Sequence, residues 1–529
     1  MNIETLITKG LFPQEITPNF SSKLFGAIAN LLIPNINVYD PVDYFDADRN
    51  RHMKVHKKSS LCADFSIPKI GLLRRRVGIP NPLHYLRLSD TIQKRWVDIV
   101  AFTNQSQYSL SKLIVDSSNS GRSLLDPSFE DLANERIIKS ANSKYLLKID
   151  ISKFYGSIYT HSIPWALHTK IISKQKRYRT SLYGNEIDQD SQKLQDGQTI
   201  GVPIGPDTSR IISEIIATAI DLEIQASFPN ITVIRLVDDY FIYTDSLAEI
   251  EQINSLIQKE LKAYELDLNA SKQETVLLPD IIENSWTYHL NKFRFEATIK
   301  NQRRDLIQFF DEAFRFSKEF PKDSVLRYAT SRIRKIALNK KNIDILVAFL
   351  LKCISAESKT IPYVAETIIG YNSIQRALLD LPLIELSINK FLLYHIKLNN
   401  PFEVAWLTWF LKRMELKMIK ECSDLIGTIN NSIVGLETLA MRDKGFIPNP
   451  INTTLWQSNL NVEGLYSENW LLAYEAVKKG WLSTPTPFIV NDAFFNELQS
   501  RNVEFYDVTK DVSLTEVKAM GLVSLVLRE

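Results

Sequence analysis

Two stretches decide the fold of this chain: YLLKIDI at residues 145–151 and ITVIRLVDDYFIY at residues 231–243. Each begins as a short run of β-branched and apolar residues that leads into a carboxylate, which is typical of a buried strand. Between them, residues 209–226 repeat isoleucine and alanine at helical spacing, and residues 250–264 repeat the pattern after the second run. The order strand, helix, strand, helix predicts an α+β fold with helices packed on a small sheet.

Three carboxylates lie where these strands end. Asp150 follows the first apolar run, and Asp238 and Asp239 interrupt the second. Burying such charges is unfavourable unless cations neutralise them, and nucleotidyl transfer uses two metal ions ~3.5–4 Å apart held by carboxylates from separate strands. We therefore expect these three aspartates to be catalytic and to bind Mg²⁺, which prefers oxygen ligands. An exposed hairpin apex is the alternative for the adjacent pair.

Composition indicates a chain that is folded nearly throughout. Of 529 residues, 45% are hydrophobic and 23% charged, with only 17 Gly and 21 Pro, and at ~150 residues per domain the length predicts about three domains. Three distant cysteines form no disulfide or zinc pattern. With no signal pattern at the N-terminus and no apolar run near the ~18 residues of a membrane span, we expect a cytoplasmic protein without membrane segments.

Positive charge is concentrated in one segment although the whole chain carries only +2. Residues 49–95 contain twelve Lys and Arg against two Asp, and His84, Tyr85 and Trp96 lie among or beside them. Such a surface can hold phosphates while its rings stack on bases or sugars. A solvated basic face is the alternative for this segment taken alone.

Four motifs in order resemble those of reverse transcriptases. LLKIDISKFYGSI at residues 146–158 resembles the first catalytic block of that family. The resemblance implies that Asp150 is a metal ligand and that the carbonyl of Ile151 is a second metal contact. It also implies that Tyr155 lies under the nucleotide sugar and rejects a 2′-hydroxyl; a core tyrosine is the alternative.

Two further blocks match with one substitution each. GVPIGPDTSR at residues 201–210 resembles a nucleotide-binding loop in which Gly205 lets the backbone approach the nucleotide, but Ile204 replaces the usual Gln. VIRLVDDYFI at residues 233–242 resembles the YxDD block with Leu236 in place of Tyr. Since that Gln helps to position the incoming nucleotide and the pairing base, its loss argues against ordinary copying of a template.

The remaining matches lie at the two ends of this region. LDLNASKQE at residues 266–274 resembles the block whose lysine, here Lys272, lies near the departing pyrophosphate. RRRVGIPNPLHYLRLSDTI at residues 74–92 resembles the fingers segment that grips the triphosphate, with Arg75 as the best match and Arg76 beside it. Bidentate guanidinium groups suit phosphate oxygens. The matches span residues 70–275.

A narrower resemblance follows the first aspartate. SIYTHSIPWALHTK at residues 157–170 resembles the abortive-infection (Abi) reverse transcriptases of phage defence, of the AbiK type and most similar to prophage-encoded members. This resemblance implies dNTP substrates, untemplated synthesis, a single-stranded DNA product primed from and attached to a protein hydroxyl, and a homo-oligomer. We expect structural roles for His161 and Trp165, and we name Tyr39 and Tyr44 as candidate priming residues.

The predicted domains follow from these blocks and from the helical periodicity of the last ~200 residues. We predict an N-terminal segment with basic fingers at residues 1–110, a palm with the active site at 111–300, and an all-helical domain at 301–529. A HEAT-like stack of helix pairs and an irregular bundle are both compatible with the sequence of this last domain.

Three alternatives to untemplated synthesis stay open. One is a conventional RNA-templated reverse transcriptase. Another is a degenerate polymerase scaffold that carries a helical binding module, for which the replaced Gln and Tyr argue and the intact carboxylates argue against. The third is a ribonuclease, because Arg51 and His56 have the R-x-x-x-x-H spacing of one ribonuclease class.

Overall fold

The computed structural model describes residues 1–39, 44–46, 51–53, 58–69, 71–118, 121–176, 182–334, 336 and 338–510. Its strands are β1 (Tyr44–Asp46), β2 (Arg51–Met53), β3 (Ala63–Pro68), β4 (Arg74–Ile79), β5 (Tyr145–Asp150), β6 (Thr232–Leu236), β7 (Asp239–Thr244) and β8 (Glu274–Leu277). The helices before β8 are α1 (Ile3–Gly10), α2 (Lys23–Leu32), α3 (Ile36–Tyr39), α4 (Pro82–Lys94), α5 (Trp96–Thr103), α6 (Phe129–Lys139), α7 (Phe154–Ser157), α8 (Ser162–His168), α9 (Lys170–Gln175), α10 (Tyr183–Lys193), α11 (Asp207–Ser227) and α12 (Leu247–Ala263). After β8 come α13 (Ser285–Lys292), α14 (Ile299–Glu319), α15 (Val325–Ile333), α16 (Ile343–Ala356), α17 (Ile361–Gln375), α18 (Leu381–Lys397), α19 (Pro401–Met414), α20 (Lys420–Ile426), α21 (Ser432–Asp443), α22 (Thr454–Gln457), α23 (Trp470–Lys478) and α24 (Ala493–Ser500).

The central sheet, which we call the palm sheet, has four antiparallel strands in the order β6-β7-β5-β8. Its strands β5 and β6 are the two predicted from the apolar runs, and the two predicted helices are α11 and α12. Helix α11 is buried along most of its length, because isoleucines cover more than one side of it. The predicted α+β arrangement is therefore confirmed.

The basic segment contributes an antiparallel hairpin, β3–β4, which we call the fingers hairpin. Phe65 and Val77 are buried cross-strand partners within it. The backbone N–H of Gly78 donates to the carbonyl of Ile204 at 2.9 Å. This bond joins the fingers hairpin to the loop at residues 201–205.

The helices after β8 stack in two rows. In one row α15 packs on α17, α17 on α19, α19 on α21, and α21 on α23; in the other α14 packs on α16, α16 on α18, and α18 on α20. Contact between every second helix is the neighbour pattern of stacked helix pairs in an α-solenoid. The structure therefore favours the helix-pair stack over an irregular bundle for this half of the chain.

The stacked helices return to the beginning of the chain. Helices α19 and α21 pack on β3, where the rings of Phe65 and Phe402 lie 6.1 Å apart. The indole N–H of Trp470 donates to the carbonyl of Ile79, and that of Trp406 donates to the carbonyl of Glu15. The helical half thus leaves the palm at β8 and ends against the fingers hairpin and the N-terminal helices.

A bidentate ion pair stabilises the contact between the helical half and the fingers hairpin. Arg74 donates to both carboxylate oxygens of Glu403, at 2.9 and 2.8 Å, and the Glu403 side chain is 1% exposed. We expect Arg74→Ala to lower the free energy of unfolding by about 2 kcal/mol, because it leaves a buried carboxylate unpaired. Urea denaturation measures this change.

A matched control lies two residues away. Arg76 pairs with Asp64 at 2.9 Å, but its side chain is 76% exposed, and exposed pairs contribute about 0–1 kcal/mol. Arg76→Ala should therefore have a small effect, and Glu403→Gln should recover part of the stability lost in Arg74→Ala. Equal losses in the two arginine variants would show that the buried pair does not fasten the contact.

Within the described residues, no helix combines the length and the apolar character needed to cross a bilayer. The three cysteines are all free thiols. Burial raises the pKa of the Cys62 thiol to about 12, so this thiol stays protonated at neutral pH.

Candidate active site

The register of the palm sheet brings the predicted carboxylates together. Asp150 is the direct cross-strand partner of Asp239 in the β5–β7 ladder. Leu236 pairs with Asp239 at the end of β6–β7, so Val237 and Asp238 alone form the turn between these strands. Opposed residues of antiparallel strands lie about 5 Å apart, and all three carboxylates therefore lie at one end of the sheet.

The turn that carries Asp238 has an unusual backbone. Val237 has φ = 58°, a left-handed conformation that β-branched residues rarely adopt. Two side chains hold it: Ser111 accepts a hydrogen bond from the Val237 N–H at 2.8 Å, and Arg235 donates to the Val237 carbonyl at 3.1 Å. Strained backbone held in this way is often part of a functional site.

A buried ionic network lies behind the turn. Arg235 is fully buried and donates to Glu214 at 3.0 and 2.8 Å and to Asp221 at 3.0 and 2.8 Å. Asp221 also accepts bonds from the hydroxyls of Tyr240 and Ser106. Because the same guanidinium reaches the Val237 carbonyl, the network connects the core of α11 to the turn of Asp238.

Asp150 is held by two residues of the segment after α12. Asn269 donates from its side-chain amide to one oxygen of Asp150 at 2.7 Å, and the Lys272 ammonium donates to the other. The Asn269 N–H also donates to the Asp150 carbonyl at 2.8 Å. Sequence reasoning placed Lys272 near the site but missed Asn269, although it lies in the quoted block LDLNASKQE.

Crowding and burial disfavour ionisation of the adjacent pair. Burial is the largest cause that raises the pKa of Asp239 to about 7, followed by the charges of Asp238 and Asp150. Burial also raises the pKa of Asp238, whereas the positive charges of Lys272 and Arg75 act in the opposite direction. A cation bound here would stabilise the ionised form of these carboxyl groups.

The donor set suits a divalent cation that substrate helps to hold. Within the described part of the chain, no group of three or more His, Cys, Asp or Glu side chains, Asp150, Asp238 and Asp239 included, is arranged to hold a metal ion by itself. Mg²⁺ commonly takes only one or two carboxylates from the protein and completes its shell with waters and phosphates. Ile151 forms an antiparallel bridge with Leu268, whose two hydrogen bonds run from the Ser152 N–H to the Asp267 carbonyl and from the Asn269 N–H to the Asp150 carbonyl. The Ile151 carbonyl accepts neither of these bonds.

Tyr155 and the loop at residues 201–205 lie together beside the carboxylates. Val202 N–H donates to the Tyr155 carbonyl at 2.8 Å, and the charge of Asp238 contributes to the raised pKa of the Tyr155 hydroxyl, after burial. Gly205 has φ = 126°, and a Cβ there would lie 3.0 Å from Pro13 and 3.4 Å from the Gly78 carbonyl. Gly205 is therefore required where this loop meets the fingers hairpin, a close approach that a side chain would obstruct.

The three consecutive arginines of β4 do not share one face. Successive strand residues alternate in direction, so Arg74 and Arg76, which pair with Glu403 and Asp64, lie opposite Arg75. Arg75 is exposed and makes no ion pair with a described residue, and its charge acts on Asp238. The structure favours Arg75 over Arg76 as the arginine that faces the site.

The candidate priming tyrosines lie in the N-terminal region. Tyr39 is 8% exposed, and its ring packs edge-on against Phe494 at 5.6 Å. Tyr44 begins β1, but its side chain lies outside what the structure describes. The same holds for the side chain of Arg51 and for all of His56, the pair considered as a ribonuclease motif.

The side chains of the THSIPW segment contact one another and neighbouring elements. His161 precedes α8 and contacts Asp188 at 2.6 Å through Nδ1, and Trp165 lies on α8 under the ammonium of Lys170 at 4.0 Å. The ring of Tyr159 packs edge-on against both the histidine and the tryptophan. The structural role predicted for His161 and Trp165 fits this geometry.

Comparison with known families identifies the middle of the chain. Residues 67–328 match the family model described as reverse transcriptase (RNA-dependent DNA polymerase). This range includes the fingers hairpin from Ile67 of β3 onward, the palm sheet and every predicted site residue except the two candidate priming tyrosines. No curated protein matches the chain.

Solved structures with similarity to this chain include yeast telomerases. One is the telomerase of Candida albicans in complex with a fragment of telomeric RNA, at 13% identity and a TM-score of 0.30, with 66% of this chain and 64% of that chain covered. Another is apo telomerase of Candida tropicalis, at 14% identity, a TM-score of 0.32, and 75% and 71% coverage. A form of it truncated from the C-terminal domain has 15% identity, a TM-score of 0.30, and 50% and 57% coverage.

The family match and the geometry of the sheet agree on residues 67–328. The four motifs found in the sequence fall in order inside this range, and the palm sheet brings their aspartates to one end. The chain therefore contains a reverse-transcriptase domain, followed by a largely helical remainder.

Proposed function

We propose that this chain is a Mg²⁺-dependent DNA polymerase that builds single-stranded DNA on a protein hydroxyl without copying a template, and that it acts in abortive-infection defence against phage. The observation that carries the polymerase activity is the pairing of Asp150 with Asp239 across the sheet, with Asp238 on the adjoining turn. Three carboxylates at one end of a sheet suit a site that substrate phosphates complete.

The proposed reaction is a displacement at the α-phosphorus of a dNTP. The attacking hydroxyl oxygen bonds to phosphorus and its proton leaves to solvent, while the bond to the oxygen that bridges to the β-phosphate breaks and pyrophosphate departs. Bound Mg²⁺ would neutralise charge on the attacking and leaving oxygens. Lys272 supplies positive charge beside Asp150, and Arg75 supplies it beside Asp238.

Two positions support synthesis without a template. Ile204 offers an apolar side chain in the loop at residues 201–205, where the usual Gln would bond to the nucleotide and the pairing base. Leu236 is buried before the turn, where Tyr is usual. Together with the THSIPW segment, these substitutions support the abortive-infection subclass, with its protein-linked product and homo-oligomer, over a conventional copying enzyme.

A template-free assay tests this proposal. Purified protein is incubated with radiolabelled dNTPs and Mg²⁺, without template or primer, and then denatured and separated on a gel. We expect label that migrates with the protein, is released by protease and is degraded by a nuclease. No such product, together with copying of an added primed RNA, would overturn untemplated synthesis and favour the RNA-dependent activity in the family's description.

Substituting the two candidate primers tests the attachment. Tyr44→Phe and Tyr39→Phe each remove a single hydroxyl and keep the ring. If one of them is the primer, its variant loses the protein-linked label but still extends an added DNA primer. Attachment that survives in the double variant would exclude both tyrosines and direct the search to other hydroxyl groups.

Sugar selection provides a prediction for Tyr155. We expect Tyr155→Val to reduce the preference for dNTPs over rNTPs by roughly 10- to 100-fold, because the space of the ring would then admit a 2′-hydroxyl. The ratio of kcat/KM for the two substrates measures this effect. Tyr155→Phe is the control, since it keeps the ring; unchanged selection in Tyr155→Val would assign the residue a purely structural role.

The raised pKa of Asp239 predicts a pH-dependent affinity for the metal. With a pKa of about 7 in the metal-free protein, Asp239 holds a proton below that pH, and an entering cation must displace it. We therefore expect Mg²⁺ affinity to fall as pH is lowered through about 7, approaching about tenfold per pH unit well below it. Calorimetry measures the affinity and the protons released.

The same experiment has an internal control. Asp239→Asn removes the titrating group, so it should weaken Mg²⁺ binding and abolish most of its pH dependence. A wild-type affinity that stays constant from about pH 8 to about pH 6 would show that no carboxyl of the site titrates in this window.

A further inference from the structure

A cavity of about 270 Å³ lies beside the palm sheet, between the end of α6 and the segment that follows β8. Leu146 of β5 and Tyr243 of β7, which are direct cross-strand partners, form part of its wall. Arg136 of α6 and Pro279 also line it. Its volume is just below the ~300 Å³ at which small-molecule sites commonly begin, so it suits one small ligand. We call this space the α6 cavity.

Arg136 is a buried cation that forms no ion pair with a described residue. It is 8% exposed, its Nη1 donates to the Ile282 carbonyl at 3.3 Å, and its guanidinium lies 4.8 Å from the centre of the Phe241 ring. The carboxylate of Asp280 also lines the cavity, but it pairs with Lys148 at 3.2 Å. A charge buried without a partner is unfavourable, and the α6 cavity therefore favours an anionic ligand.

Two polar atoms of residues that line the cavity have no hydrogen-bond partner within the described part of the chain. One is Nε of Arg136, and the other is the hydroxyl of Tyr243, a residue that is 3% exposed. Burial raises the pKa of the Tyr243 hydroxyl, and the neighbouring Arg136 acts in the opposite direction. Because buried donors without a partner are unfavourable, a ligand oxygen that accepts from both groups would stabilise this wall.

The α6 cavity lies on the face of the palm sheet that carries the catalytic carboxylates. Alternate residues of a strand share a face, so Leu146 lies on the same side of β5 as Asp150, and Tyr243 lies on the same side of β7 as Asp239. Four residues at ~3.4 Å each place this wall of the cavity about 14 Å from the carboxylates. A ligand in the cavity would therefore lie near the nucleotidyl-transfer site but outside it.

We infer that the α6 cavity binds a single nucleotide unit, with its phosphate on Arg136 and Tyr243. The choice of a nucleotide rests on the proposed polymerase function, which brings phosphates to this face of the sheet in two forms: a free nucleotide and a nucleotide of the DNA strand. A guanidinium group suits phosphate oxygens. The other walls suit the rest of the ligand, because Leu146 and Pro279 offer apolar surface to a base and the Ser143 hydroxyl can bond to its polar edge.

Two binding measurements on the full-length protein, made without divalent metal, test this site and do not require synthesis. The probes are dTMP, followed by calorimetry, and a fluorescein-labelled single-stranded oligothymidylate, followed by anisotropy. Arg136→Met removes the charge and keeps a long side chain, whereas Tyr243→Phe removes only the hydroxyl. Arg304→Met is the matched control, because it removes the same charge from an exposed position of α14.

We expect at least one probe to bind roughly 10- to 100-fold more weakly to Arg136→Met, and roughly 3- to 10-fold more weakly to Tyr243→Phe, than to Arg304→Met. Weaker binding of dTMP alone identifies a free nucleotide as the ligand, and weaker binding of the oligothymidylate identifies a nucleotide of the strand. Wild-type affinity of both variants for both probes, or no binding of either probe to the wild type, would overturn the site.

Failure of this site and failure of the proposed polymerase function are distinguishable. Probe binding that depends on Arg136 and Tyr243, in a protein that incorporates no dNTP, would contradict the polymerase and retain the site. Incorporation of dNTPs by a protein whose probe binding is unaffected by both substitutions would contradict the site and retain the polymerase.

Discussion

Replacing Asp238 and Asp239 together by asparagine is expected to abolish DNA synthesis, lowering kcat by at least roughly 10³-fold. Each substitution keeps the size of the side chain and removes the charge with which the turn would hold a divalent cation. Losing several kcal/mol of transition-state stabilisation corresponds to this factor. Label incorporation from dNTPs measures the rate, and calorimetry should show weaker Mg²⁺ binding in parallel.

The design separates loss of charge from loss of structure. The amides remove the repulsion between Asp238, Asp239 and Asp150 that disfavours ionisation in the metal-free protein, so the variant should unfold at the same temperature as the wild type or a higher one. Glu251→Gln removes an exposed carboxylate of α12 and should leave synthesis unchanged. Synthesis at the wild-type rate in the double amide would show that the chemistry occurs elsewhere.

Arg235→Met is expected to cause the largest loss of stability, about 3–5 kcal/mol. The substitution leaves Glu214 and Asp221 buried without their shared cation, and it removes the bond to the Val237 carbonyl. Chemical denaturation measures the change. Arg304→Met is the control, because Arg304 is an exposed arginine of α14.

A triple variant separates the two effects of Arg235. Adding Glu214→Met and Asp221→Asn removes both stranded charges, and the amide oxygen remains as an acceptor for one of the two hydroxyls that Asp221 binds, so much of the stability should return. DNA synthesis should stay low because Val237, and with it Asp238, is still released from Arg235. If the triple variant regained both its stability and the full rate of DNA synthesis, the ionic network would serve folding alone.

Much of the local structure could be predicted from the sequence. The strands β5 and β6 and the helices α11 and α12 lie where runs of apolar residues, at strand or helical spacing, predict them. Most of these elements are buried, so their side-chain pattern and their tertiary environment favour the same conformation. The same reasoning predicted that the last ~200 residues are largely helical but left the mode of packing of these helices open.

The sequence alone could not show in which direction each arginine of the RRR run at residues 74–76 points. A motif match alone cannot tell Arg75 from Arg76, because both belong to the same strand and have the same chemistry. The carboxylates distinguish the arginines, because Glu403 pairs with Arg74 and Asp64 pairs with Arg76. Arg75 is left exposed, and its charge acts on Asp238. Partners that are distant in the chain decide which arginine is available.

The sequence by itself determined which residues could perform the chemistry: Asp150, Asp238 and Asp239 at the ends of two buried strands. Only the tertiary structure decided that Asp150 faces Asp239, that Asn269 holds Asp150, and that Arg74 pairs with Glu403 of the helical half. The reason is physical. Strands and helices follow from the spacing of neighbouring residues, whereas strand register and the return of the helical half depend on contacts between residues far apart in the chain.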